Sequence, residues 1–208
     1  MSDINAAPTM LSVDRLTDQF IVQRAGIEDL SVILAIYNQT IAGKQATANL
    51  VPVTSDERAA WFEDHLNNPT RPIYVVKTVN AINHTDPTDQ IDAMEPTSII
   101  IAWGSFSDLY ARTAYNISSE ISVYLHYDYH GRGLGKLLTR WMLTQAPSLG
   151  IQNVVALVFA HNQPSLGLFN KLGFEQWGYM PQVCDMQGFI ADVVMLGKAL
   201  AVDNSNQI

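Results

Sequence analysis

Apolar residues recur at every second position in some stretches of the chain and at every third or fourth in others, and the changes of period mark out its elements. "FIVQRA" (20–25) alternates as a strand does. "IEDLSVILAIYNQTI" then sets Leu30, Ile33, Leu34, Tyr37 and Ile41 at helical spacing, with Glu28 and Asp29 favourable in the first turn. "PVTSDERAAWFEDHLNN" opens a second helix with a capping signature at Thr54 or Ser55. Strands are predicted at 72–79, 98–106 and 117–126, and a helix over "GLGKLLTRWMLTQA", stopped near Pro147 and Gly150. "VVALVFA" (154–160) is apolar without alternation, the mark of a strand covered on both faces. A short helix follows Pro164, and "FEQWGYM" with "IADVVMLG" forms a closing hairpin. The order is that of an α/β domain with one mixed sheet and helices on both faces. Residues 1–18 read as an N-terminal extension, 19–200 as the domain, 80–97 as a surface loop and 201–208 as a disordered tail.

Composition narrows the class. The 208 residues suit one domain with extensions, and 48% of them are hydrophobic, enough for a packed core. A net charge of −8 with no basic stripe argues against a nucleic-acid partner, so any anionic ligand must be held by local groups. The start of the chain lacks the pattern of a signal peptide, and no apolar run approaches the ~20 residues that cross a bilayer. One cysteine, Cys184, leaves no intrachain disulfide and fits a reducing, cytoplasmic compartment. It reads as a structural or pocket-lining thiol, and the four tryptophans as core or interface residues.

The chemistry concentrates in "YLHYDYHGRGLGK" (124–136). A mononucleotide P-loop needs a hydroxyl after its lysine to hold magnesium, and Leu137 stands there. The dinucleotide pattern G-x-G-x-x-G fails because the third glycine comes one residue early. His126 and His130 sit on a turn without further Cys or His nearby, so no metal is expected. What remains is a strand, a glycine turn and a helix start. There the backbone N–H groups of residues 131–136, with Arg132 and Lys136, converge on an anion such as a pyrophosphate. The plainer alternative is a glycine-rich turn without a ligand.

"HGRGLGKLLTRWML" resembles the R/Q-x-x-G-x-G/A motif of the GNAT superfamily of N-acetyltransferases, with His130 at the R/Q position and Gly133 and Gly135 as the motif glycines. "IYNQTI", "RAAWFEDH", "AYNISSEISVYL", "HNQPSLGLFNKLGFE" and "GYMPQV" extend the resemblance to the phosphinothricin N-acetyltransferase-like branch over about residues 20–198. The resemblance implies the GNAT fold: a mostly antiparallel sheet, splayed between the strand before the glycine turn and the next strand.

It further implies acetyl-CoA as co-substrate and direct acetyl transfer to an amine. Glu120 falls at the family's general base. Period two puts Glu120, Ser122 and Tyr124 on one strand face and Ile121, Val123 and Leu125 on the other. The plainer reading of Glu120 is an edge or ion-paired carboxylate, with Arg112 as a partner. By resemblance, Val123, Tyr124 and Leu125 line the acetyl and pantetheine arm, and Gly131, Arg132, Gly133, Leu134, Gly135 and Lys136 grip the pyrophosphate. Asn162 holds the pantetheine, and Ser165 is either a cofactor contact or a helix cap.

Two departures from the family stand out. Phe169 replaces the residue that protonates the departing thiolate, which leaves water or Tyr124 for that work. In the loop before Glu120, Tyr110 replaces a basic residue, so Arg112 is the candidate grip for a substrate carboxylate. Tyr37, Asn38 and Tyr115 complete the expected pocket, Tyr37 being equally well a core aromatic. The resemblance points to a small amino-acid-like amine, such as phosphinothricin, methionine sulfoximine or methionine sulfone, and to a homodimer. An acetyltransferase for a protein N-terminus or a polyamine, and a non-catalytic CoA-binding sensor, are the alternatives.

Overall fold

The structure is a computed structural model that describes residues 13–79 and 98–200. Eight strands form one sheet in the order β1-β2-β3-β4-β5-β6-β8-β7. They are β1 (Val13–Arg15), β2 (Phe20–Arg24), β3 (Ile73–Thr78), β4 (Ile100–Asp108), β5 (Ser118–Leu125), β6 (Asn153–Phe159), β7 (Glu175–Asp185) and β8 (Ile190–Ala199). Neighbours run antiparallel except β5 and β6, which are parallel. Four α-helices cover the sheet: α1 (Leu30–Gln39), α2 (Ser55–Asn67), α3 (Leu134–Gln145) and α4 (Gln163–Lys171).

Alternation along the strands divides the core. Ile73 and Val75 of β3 join Ile33, Ile36 and Tyr37 of α1 and Phe62 of α2 in one cluster. Their neighbours Tyr74 and Val76 join Leu134, Leu138 and Met142 of α3 and Phe169 of α4 in another. Helices α1 and α2 therefore cover one face, and α3 and α4 the other. The capping signature before α2 resolves to Thr54. Its Oγ1 accepts from the Glu57 N–H at 3.4 Å, while Glu57 accepts from the Thr54 N–H at 2.8 Å.

β1 lies within the stretch read as an extension. Val13 to Arg15 pair with Gln23 to Ile21, joined by a turn in which Leu16 N–H reaches Phe20 O at 2.9 Å. Trp141 of α3 donates to Asp14 at 3.2 Å and ties that edge down. Three residues are too few to show a period in the sequence. The expected loop at 80–97 and tail at 201–208 lie outside the described residues.

Candidate active site

β5 and β6 pair over only three rungs, Ser118 with Asn153, Ser119 with Val154 and Glu120 with Val155. Both strands continue beyond Glu120 and Val155, but no longer against each other. The sheet opens there into a wedge, the expected splay. Backbone groups facing a wedge have no ladder partner, so a ligand or water must meet them.

Two cavities adjoin this opening and share Glu120, Ser122 and Tyr124. The smaller, about 180 Å³, lies between α1, α2 and the sheet. Trp103, Ser105 and Ser107 of β4 stand opposite Tyr124, Ser122 and Glu120 in the antiparallel register, which puts all six on one face. Tyr37, Arg58 and Trp61 close the cavity from the helices. The larger, about 460 Å³, runs into the wedge between β5 and Ala156–Phe159, bounded by the 45–49 loop, Phe169 of α4 and Cys184 of β7.

Glu120 is the only carboxylate among the described residues lining either cavity. Burial holds its pKa above the ordinary carboxylate range, and no ion pair among the described residues, with Arg112 or another cation, opposes that. Tyr124 stacks on Trp103 with ring centroids 4.6 Å apart and meets Tyr37 edge-on at 5.1 Å. Burial, with the nearby Tyr37 and Glu120, raises its phenol pKa strongly, so it stays protonated and able to donate. His65 sits behind Ser107. Its Nδ1–H donates to Trp61 O at 2.8 Å, leaving Nε2 of the neutral ring to accept from Ser107 Oγ at 3.1 Å. Burial lowers its pKa.

The glycine turn follows β5 directly. Gly131 and Gly133 have φ of +74° and +77°, and a Cβ at either would meet nothing within 4 Å. Gly133 caps α3 without a side chain, so it leaves the first N–H groups of that helix without a side-chain cap. His130 Nε2–H donates to Leu125 O at 3.1 Å and fixes the turn to the strand end. Left-handed glycines, free N–H groups and two cations suit a pyrophosphate, and the wedge suits an extended arm leading from it to Glu120. The residues present thus fit acetyl-CoA.

The profile of the acetyltransferase (GNAT) family matches residues 53–174, more than half of the chain. A Bacillus subtilis (strain 168) protein, YwnH, provisionally named a phosphinothricin acetyltransferase, is 38% identical over 173 residues, 83% of this chain and 94% of that one. The chain belongs to the GNAT acetyltransferase family. The L-methionine sulfoximine/L-methionine sulfone acetyltransferase of Pseudomonas aeruginosa is 30% identical over 175 residues, 84% of this chain and 91% of its own. The fold is shared with a phosphinothricin acetyltransferase from Sinorhizobium meliloti, crystallised with AcCoA, at a TM-score of 0.73 and 24% identity, covering 88% of this chain and 89% of that one. GNAT membership makes the protein an acetyl-CoA-dependent N-acetyltransferase.

The GNAT motif positions distribute unevenly around the two cavities. Glu120, Val123, Tyr124, Asn162, Ser165 and Phe169 line the larger cavity. Leu125 at the end of β5, Gly131 to Gly133 on the turn and Leu134 to Lys136 at the start of α3 do not line it. Leu134 is buried in the core under α3, and the Arg132 guanidinium lies over the Tyr129 ring at 5.2 Å. Asn162 caps α4, accepting from Ser165 N–H at 3.1 Å and donating to Gln45 O at 2.9 Å. Much of its hydrogen-bonding capacity is thus used within the protein, and Ser165 is the capped residue rather than the cap. Tyr37 is a buried aromatic whose ring lines the smaller cavity, with its hydroxyl held by Thr47 and Asn49.

Three expected pocket residues lie elsewhere. Asn38 pairs in both directions with the Val53 backbone, at 2.9 Å each way, and braces the approach to α2. Arg112 and Tyr115 are exposed in the loop between β4 and β5 and line neither cavity. That loop is anchored by Arg71, 5% exposed, which reaches Asp108 at 2.7 Å and Asn116 O at 2.8 Å. Sequence reasoning missed Arg58, Trp61 and Trp103 as cavity walls. The available signal was Arg58 and Trp61 three apart in "RAAWF", one helical face shared by a cation and an aromatic.

Proposed function

We propose that this acetyltransferase acts on the α-amine of a small amino acid or analogue, in a ternary complex, by direct transfer. One observation carries the reading: the amine cavity and the cofactor cleft meet at Glu120, Ser122 and Tyr124, so an amine and an acyl donor are brought together at a carboxylate and a phenol. The cavity of about 180 Å³ is smaller than the roughly 300–1,000 Å³ of sites for drug-sized ligands, which favours a small substrate. The names of the Bacillus and Pseudomonas relatives support phosphinothricin, methionine sulfoximine and methionine sulfone as the compounds to try.

Bound acetyl-CoA supplies an activated acetyl thioester. Gly131, Gly133, Gly135, Arg132 and Lys136 would hold its pyrophosphate, and Val123, Tyr124 and Phe169 would border its arm. Glu120 takes the proton from the ammonium; an α-amine with a pKa near ~8 needs only a modest push. Its raised pKa makes it a stronger base than an exposed carboxylate. Tyr124, a protonated donor on the same strand face, gives a proton to the departing sulfur, work for which Phe169 has no group. Arg112 is the cation that family resemblance offers for the substrate's carboxylate.

Trp177, Tyr179, Val183 and Ile190 are exposed on the β7–β8 hairpin, and β7 is a sheet edge. Exposed apolar residues on an edge strand support a homodimer formed there. Among the described residues no helix is long and apolar enough to cross a membrane, and the lone thiol agrees with a cytoplasmic setting.

The test is release of free CoA from acetyl-CoA across a panel of amines. Turnover of methionine sulfone, methionine sulfoximine or phosphinothricin supports the reading. Turnover of polyamines or peptide N-termini alone overturns the substrate, and no turnover of any amine overturns the catalytic assignment.

A further inference from the structure

We propose that Arg58, inside the amine cavity, is the cation that grips the substrate's carboxylate, so that the cavity reads an amino acid from both ends. This rests on the amino-acid reading above and names the residue behind it. Arg58 is the one cation among the described residues that line the cavity, as Glu120 is its one carboxylate. An α-amino acid presents the opposite pair, an ammonium and a carboxylate. A simple amine or polyamine offers nothing to a guanidinium, and beside one it meets repulsion.

The geometry readies Arg58 for this work. Its Cζ lies 5.4 Å from the Tyr37 ring centroid and 5.5 Å from that of Trp61, both walls of the cavity. A guanidinium held against ring faces keeps its in-plane N–H donors for a bidentate partner. Among the described residues it has no ion pair or hydrogen bond within the protein. The adjacent Glu57 carboxylate is engaged in the capping box with Thr54. The Arg58 charge reaches the reacting end of the cavity, since it draws down the Tyr124 phenol pKa against the upward push of Glu120. Arg112, by contrast, is exposed and lines neither cavity. In a chain of net charge −8 a carboxylate needs a local cation of this kind.

The experiment compares methionine sulfone with its decarboxylated counterpart, 3-(methylsulfonyl)propylamine, in wild type, Arg58→Ala, Arg58→Lys and Arg112→Ala. Acetyl-CoA affinity by calorimetry shows whether each variant is folded. Wild type should favour the amino acid by about 10- to 100-fold in kcat/KM, the worth of one charged bidentate contact. Arg58→Ala should collapse that ratio through the KM of the amino acid, with acetyl-CoA affinity within about twofold of wild type. Arg58→Lys, which keeps charge without the fork, should fall between. Arg112→Ala should change the ratio less than Arg58→Ala. Retention of the full preference by Arg58→Ala, or its collapse in Arg112→Ala alone, overturns the assignment to Arg58 and leaves the enzyme's function standing. Absence of any preference in wild type overturns the amino-acid reading itself, and Arg58's role with it.

Discussion

Glu120 and Val155 form the last rung of the parallel ladder between β5 and β6, so the residue proposed as general base sits at the apex of the wedge. One strand position thus sets both the splay and the carboxylate. Glu120→Gln should lower kcat by about 10²- to 10⁴-fold with little effect on acetyl-CoA binding. It should also stabilise the protein. Burial raises the carboxyl's pKa in the folded state, so wild type is stabilised by protonation at low pH and loses that contribution as pH rises through the raised value. Thermal melts should give the variant the higher Tm at about pH 8, with the gap narrowing toward about pH 4. A lower Tm for the variant at the alkaline end would contradict the buried, unpaired carboxylate.

Tyr124 and Phe169 both line the larger cavity, but only Tyr124 carries a hydroxyl. Tyr124→Phe should reduce kcat by about 10- to 100-fold, at or below the low end of the ~10²- to 10⁴-fold usual for a general acid, because water can partly replace it. Phe169→Tyr restores a donor at the usual family position, and in the Tyr124→Phe background it should recover part of the loss. Steady-state kinetics of the two single variants and the double variant decide this. Equal rates for wild type and Tyr124→Phe would leave protonation to water.

Much of this site was legible in the chain, and the limits have physical causes. Apolar patterning and helix signals located the four α-helices and every strand except β1, which at three residues is shorter than any period it could display. Glu120 was legible because an acid in an apolar strand stands out, and the glycine turn because three glycines in five residues mark close backbone approach. Asn38 and Arg112 were expected in the pocket and lie outside it, and Arg58 was not singled out, because each depends on where a side chain points after the elements have packed. Asn38 turned to the Val53 backbone, and Arg58 turned inward between two rings. Resemblance carried the family's roles to matching positions, but Asn162 shows that a matching residue can also be occupied by its own helix cap.

Gly133 adopts φ +77° where α3 begins, with open space on its Cβ side. Gly133→Ala should cost about 1–2 kcal/mol in backbone strain and place a methyl in the space facing the helix start. Calorimetry should show weaker acetyl-CoA binding, with amine preference unchanged. Arg132→Ala should act in the same direction by removing a charge near the pyrophosphate. Unchanged affinity in both variants would take the pyrophosphate away from this turn.

His65 links α2 to β4 through Ser107, and burial depresses its pKa. A depressed histidine contributes stability above its unfolded pKa of about 6.5 and loses it as pH falls through the folded value. Wild type should therefore lose Tm from about pH 7 to about pH 5 more steeply than His65→Gln. Parallel slopes for the two proteins would show that the ring is protonated as easily in the fold as outside it.

Arg71 holds the loop between β4 and β5 from beneath, at Asp108 on one side and Asn116 on the other. Everything between those anchors, Tyr110, Arg112 and Tyr115 included, is carried by a clamp that does not depend on its composition. Substitutions there can accumulate without disturbing the wedge, the glycine turn or Glu120. A lineage built on this scaffold can therefore vary that loop freely while the chemistry at the wedge is inherited intact.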